Sequence, residues 1–293
     1  MGEPLAAQIA PGSLVTLDPL GALALLPLHA MAMAPAAEGG GQDRSAGLVF
    51  RYAPNARVLA RAQAQASALA GAPVRVLTVA VPDAPGEAVI EHARAESAAV
   101  VARWAGRTEH PEPGSRRAVL QAMDRCGIWH FACHGVHLPG RPLDSRLVLA
   151  DGPLTLRTIF ARPQAAGRLA VLSACRTATP DERLLDEVVS FPSALLQAGV
   201  AGVVSAQSDV DDRGATLLVL RFFDELAGGV APARALARAQ GWLAGATNAQ
   251  IRAELGDVHG YPGGYSAAQR AFWDYERSFS DPHHWAMFSY CGA

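Results

Sequence analysis

GIWHFACHG, Gly127 to Gly135, is a short apolar run that stops on a histidine followed by a glycine. A second run of the same build, RLAVLSACRT (Arg168 to Thr177), stops on Cys175. A brief, continuously apolar run bounded by small or polar residues reads as a strand buried on both faces. Parallel α/β sheets present their chemistry at the carboxyl ends of such strands. His134 and Cys175 are therefore candidates for one rim of one sheet. A cysteine nucleophile needs a base or a cation beside it to exist as thiolate, and a histidine within hydrogen-bond reach supplies both. The chain between them is long enough for a crossover that makes the two strands neighbours. Gly135 lets a substrate backbone come close and frees its N–H for a developing oxyanion, with the N–H of Cys175 as the second donor.

Other chemistries compete for the first run. His130, Cys133, His134 and His137 are all of zinc-ligand type. In a strand, however, period-two alternation sends His130 and His134 to one face and Cys133 to the other, so they do not converge. HFACH has a faint likeness to a haem-attachment motif, but that motif begins with cysteine. Either residue alone reads as a core side chain. Two of them, each ending a buried strand beside a small residue, point to a Cys-His dyad. No metal and no organic cofactor are expected.

Working outward, strands and helices alternate. Ser13 to Leu17 reads as a strand and Ala36 to Ser45, with three consecutive glycines, as a loop. Gly47 to Pro54 is strand-like, and Asn55 is placed to cap a helix reaching about Ala70. VRVLTVAVPDAPG (Val74 to Gly86) is a strand and turn, followed by a helix over Glu87 to Ala105 that ends at Gly106. A helix from Ser115 to Arg125 precedes the strand ending at His134. RLVLADGPLT forms a hairpin around Ala150, Asp151 and Gly152, because Asp and Gly tolerate the positive φ of tight turns. A short helix (Leu156 to Ala161) leads to the Cys175 strand. Then come a polar loop (Arg176 to Asp186), a helix (Glu187 to Ala198), a strand (Val200 to Gln207) and a helix capped by Asp211 or Asp212 that runs to Leu226. Another helix covers Ala231 to Ala244, Asn248 to Ser266 reads as loop, and HWAMFSYCG reads as a closing strand. The expected fold is α/β, a mostly parallel sheet with helices on both faces. No internal repeat or dividing linker is visible, so residues 1–293 read as a single domain.

Composition narrows the function. The chain of 293 residues is half apolar with a formal net charge of −2. Its basic residues form no run, which excludes the electrostatic footprint of a nucleic-acid binder. All 25 basic residues are arginine, a mark of genome composition. Cys126, Cys133, Cys175 and Cys291 lack the dense spacing of a disulfide scaffold, which fits a reducing cytoplasm. The apolar stretch Leu14 to Met33 has no basic flank and is broken by Asp18, Pro19 and Pro27, so neither export nor a membrane span is expected. His29 within it reads as a hydrogen-bonded core histidine.

The motifs together resemble a known family. HFACHG, LVLADGPLT, VLSACRT, DEVVSFPSALLQAGVAGVVSAQSDVDD and the closing HHWAMFSYCG are similar to the CHAT family of caspase-like cysteine peptidases, relatives of caspases, separases and gingipains. LPLHAMAM and RYAPNARVL resemble its opening segment, here residues 1–55. The resemblance implies a caspase-like three-layer α/β sandwich and peptide-bond hydrolysis through a thioester acyl-enzyme. Cys175 would be the nucleophile, His134 the general base and acid, and Gly135 with Cys175 the oxyanion donors. It implies protein substrates and a regulated bacterial effector role in stress, cell-death or phage-defence signalling, with either a separate regulatory or helical-repeat protein as partner or this chain as a peptidase domain excised from a longer protein. Many relatives carry a tryptophan where this chain has SAQSD (Ser205 to Asp209), so the pocket wall that includes Ser205 and Gln207 differs here. The acidic loop Asp209, Asp211 and Asp212 would favour a basic P1 residue, with helix capping by Asp211 or Asp212 as the competing role. By the same resemblance the loop Arg176 to Asp186 would order on activation, with a plain solvated connection as the competing reading. The alternative function is a catalytically silent interaction module that keeps the fold.

Overall fold

The computed structural model describes residues 9–10, 12–33, 48–84, 88–138, 140–162, 167–173, 190–208, 210–256 and 260–293. The expected loop at Ala36 to Ser45, the loop Arg176 to Asp186, Cys175 and Asp209 lie outside them. The first strands and helices are β1 (Leu14–Leu17), α1 (Ala30–Met33), β2 (Val49–Tyr52), α2 (Ala56–Ala68), β3 (Val76–Ala80) and α3 (Ala93–Arg103). Next come β4 (Thr108–Glu109), α4 (Arg116–Met123), β5 (Ile128–Ala132), β6 (Gly135–Val136), β7 (Arg146–Leu149), β8 (Gly152–Thr155), α5 (Leu156–Phe160) and β9 (Leu169–Leu172). The last are α6 (Phe191–Gln197), β10 (Gly202–Ala206), α7 (Asp212–Ala227), α8 (Pro232–Gly245), α9 (Asn248–Leu255), α10 (Ala267–Tyr275), α11 (Pro282–Trp285) and β11 (Phe288–Gly292).

One sheet has the order β1-β2-β11-β10-β9-β5-β3-β4, and β6-β7-β8 form a small second one. The run β10-β9-β5-β3-β4 is parallel. The residues of β5, β9 and β10 are buried throughout, as expected where helices cover both faces of a parallel sheet. On one face Val171, Val204 and Phe288 pack with Val100 of α3, Leu217 and Phe223 of α7 and Leu236 of α8. On the other, Trp129, Phe131, Leu172 and Val203 pack with Val58 of α2, Val119 of α4, Ile159 of α5 and Phe191 of α6. The mostly parallel, three-layer α/β sandwich expected from the sequence is what the chain forms. Packing on the second face is close: a Cβ at Gly167 would sit 2.8 Å from the Trp129 ring, so only glycine leaves room for the indole there.

The caps follow sequence. Asn55 accepts from the Val58 N–H at 2.9 Å, and Asp211 from the Gly214 N–H at 2.7 Å. The hairpin turns at Ala150 and Asp151, with Gly152 at φ 133°.

Three expectations need correction. The helix read from Glu87 begins at Ala93, preceded by a segment without helical structure and a turn. The region read as loop holds α9, whose capping box joins Thr247 and Gln250 and whose Ile251 and Leu255 are buried. The closing stretch divides: Asp281 caps the short α11 over Pro282–Trp285, and only Phe288–Gly292 is strand, antiparallel to β10 and parallel to β2. Among the described residues no helix is long and apolar enough to cross a membrane.

Candidate active site

β3, β5 and β9 run parallel in register, with Val79, Phe131 and Leu172 on one line across them. The Ser173 N–H donates to the Phe131 carbonyl at 3.0 Å and carries the β5–β9 ladder one step further. His134 and Cys175 each follow the Phe131–Leu172 rung by three residues.

His134 is half-buried where the chain leaves β5 for β6. Its carbonyl accepts from the Val148 N–H at 2.9 Å, which ties it to β7. Its ring Nε2 lies 2.7 Å from the carbonyl oxygen of Ala88, in the segment that leads into α3. A carbonyl only accepts, so Nε2 carries a proton and Nδ1 is the ring nitrogen that this contact leaves unused. The His134–Val148 bond also fixes the parity of the small sheet. Gly135 and Leu147 become a pair that exchanges no ladder bonds, and the Gly135 N–H points away from β7. The rim thus places a histidine with one ring nitrogen engaged beside a backbone N–H that β7 does not use.

His130 and Cys133 separate as alternation requires. His130 is sealed on the α3 and α7 face, its Nε2 2.7 Å from Glu96 Oε1, its Nδ1 2.8 Å from Thr78 Oγ1, and the Phe223 ring edge-on to it. Cys133 packs among apolar side chains of the opposite face. Burial pushes its thiol up to about 12, that of Cys291 to about 12 and that of Cys126 to about 11. These three free cysteines hold their protons at neutral pH.

The expected pocket residues fall in two groups. Asp211 caps α7. One Asp212 carboxylate oxygen accepts from the backbone N–H of His92 at 3.0 Å and lies 2.9 Å from its Nδ1. Ser205 is fully buried in β10, and its hydroxyl has no partner among the described residues. Gln207, just past β10, lines a cleft with Tyr52, Pro54, Ser190, Pro192 and Ser289, and the described lining carries no charged side chain. Sequence reading missed Ala88, which acts through its backbone and has no side-chain signature. It also missed Glu96, for which a signal existed. Ala93, Glu96, Ser97 and Val100 share the buried face of α3, so a carboxylate sits at a core position of a helical repeat.

The family model of the CHAT domain matches residues 1–293. No curated protein matches the sequence. Among solved structures the chain is similar to the Arg-specific cysteine proteinase gingipain R, with 10% identity and a TM-score of 0.46, over 86% of this chain and 56% of that one. It is also similar to the complex of the pro- and mature domains of RgpB from Porphyromonas gingivalis, with 9% identity and a TM-score of 0.44, over 84% of this chain and 55% of that one. The chain spans just over half the length of each of these structures.

Proposed function

The chain belongs to the CHAT domain family, and on that premise we propose that it is a cysteine endopeptidase working through His134 and Cys175. The observation that carries this reading is the register: β5 and β9 are parallel neighbours, and along the sequence His134 and Cys175 each come three residues after the Phe131–Leu172 rung. The tautomer of His134 supports it, since the Ala88 carbonyl holds the Nε2 proton and leaves Nδ1 to receive one.

In the proposed reaction the Cys175 thiol gives its proton to His134 Nδ1 and the sulfur attacks the scissile carbonyl. The Gly135 and Cys175 N–H groups hold the oxyanion of the tetrahedral intermediate. The C–N bond breaks as His134 returns the proton to the departing amine, leaving a thioester. Water, deprotonated by His134, hydrolyses it and frees the thiol. No step calls for a metal or an organic cofactor.

The proposed substrates are proteins, and the proposed setting is a regulated effector. The proposed preference for a basic P1 residue rests on the acidic loop of Asp209, Asp211 and Asp212, of which Asp211 caps α7 and Asp212 engages His92. Peptide libraries presenting Arg or Asp at P1 test this against the Cys175→Ala variant. Cleavage after Arg by the wild type alone is expected. Cleavage only after acidic or apolar residues removes the role of the acidic loop. Absence of any cleavage by the folded chain, on peptides and on proteins co-expressed from neighbouring genes, favours the interaction module.

A further inference from the structure

The polar cluster beneath the rim extends well past the His130 pair. Glu96, 2% exposed, has three side-chain partners. Its Oε1 faces His130 Nε2, and its Oε2 accepts from Thr216 Oγ1 at 2.9 Å and Ser173 Oγ at 3.2 Å. His130 continues through Thr78 Oγ1 to Ser97 Oγ at 2.9 Å. One carboxylate on α3 therefore reaches β5, the end of β9 and α7 at once. Burying it is expensive unless every lone pair is engaged, and an apolar residue of similar size would pack at less cost. Two of its partners are the informative ones. His130 lies on the strand that delivers His134, and Ser173 stands two residues ahead of Cys175.

The turn before Glu96 is fixed in the same manner. His92 and Glu96 are one helical turn apart, as are Asp212 and Thr216, so two rungs join the start of α3 to the start of α7. Four residues before His92, the Ala88 carbonyl holds the His134 ring.

We propose that the first turn of α3, with the segment leading into it, is a positioning unit for both members of the dyad: Ala88 sets His134, and Glu96, through Ser173, sets the strand end that delivers Cys175. The inference rests on the Cys-His peptidase reading. Within it Glu96 and Ser173 are positioning residues.

The test is the iodoacetamide alkylation rate of Cys175 in the full chain near neutral pH, where burial keeps the thiols of Cys126, Cys133 and Cys291 protonated. Ser173→Ala removes the hydroxyl on the nucleophile arm and keeps the Glu96–His130 pair. Its rate is expected to fall about tenfold, short of the roughly hundredfold that a 1 Å misplacement can cost, with the thermal midpoint held within a few degrees. Ser173→Thr is expected to restore the rate. Glu96→Gln is expected to lower both rate and midpoint. An unchanged rate in Ser173→Ala overturns the positioning unit and leaves the dyad standing. A wild-type rate no faster than that of a free thiol overturns both.

Discussion

His130 and His134 stand four residues apart in one segment and have opposite surroundings. His130 has no exposed surface, and both ring nitrogens are committed, one to a carboxylate and one to a hydroxyl. His134 is half-buried at a rim, with one nitrogen tied to a backbone carbonyl. The same side chain is a structural tie in one place and, in the proposed reaction, the base in the other. The difference lies in how many of its nitrogens the fold has already engaged.

The comparison breaks most sharply at the buried site. His130→Ala leaves the Glu96 carboxylate buried without its ring partner, and loss of one member of a buried pair costs about 3–5 kcal/mol. Urea unfolding is expected to show that loss, and a loss below about 1 kcal/mol would mean that the pair adds little. A third histidine sharpens the point. Among the described residues His29, 4% exposed, faces neutral side chains, the Tyr52 hydroxyl at 2.8 Å and the Gln240 amide at 3.2 Å. Burial lowers its pKa from 6.5 to about 4. Between those values the unfolded chain binds the proton and the folded chain resists it. The associated stability is therefore complete above pH 6.5 and lost as pH falls toward about 4, about 3 kcal/mol in all. In His29→Gln that part of the acid sensitivity is expected to vanish, read from unfolding free energy against pH.

At the rim the expected effect is on rate. His134→Ala should lower Cys175 alkylation about a hundredfold, the low end of what a positioned base supplies, with a near-native unfolding midpoint. An equal loss of stability would make His134 a second His130. The smallest effect belongs to Asp212→Asn, which weakens a partly exposed contact with His92. Its cost is expected within about 1 kcal/mol, measured by thermal unfolding.

Much of this was readable in advance. Continuous apolar runs marked β5, β9 and β10, because a strand covered on both faces admits few polar residues, and the small residues after them marked the rim. Asn55 was readable as a cap, and the cap of α7 was narrowed to Asp211 or Asp212, because capping depends on local chain geometry. The contribution of Ala88 was not, since a backbone carbonyl is the same in every residue. Glu96 was hidden by its type: a glutamate in an alanine-rich helix looks solvated until the helix face is aligned with the core. α9 was missed because its apolar face is only two residues deep. The direction of β11 had no signal in its own residues, since strand polarity is chosen by neighbours far along the chain.

That last strand has a consequence for how the molecule is made. β11 lies between β10 and β2, and Cys291 is the residue that meets Tyr52 across the gap. β1 and β2 therefore join the rest of the sheet only through residues made more than two hundred positions later. On the ribosome this early pair emerges first and must wait, one edge open, while everything between is synthesised. Such long-range closure is slow and leaves an adhesive edge uncovered in the meantime. The late-made strand decides when the molecule stops being vulnerable to its neighbours.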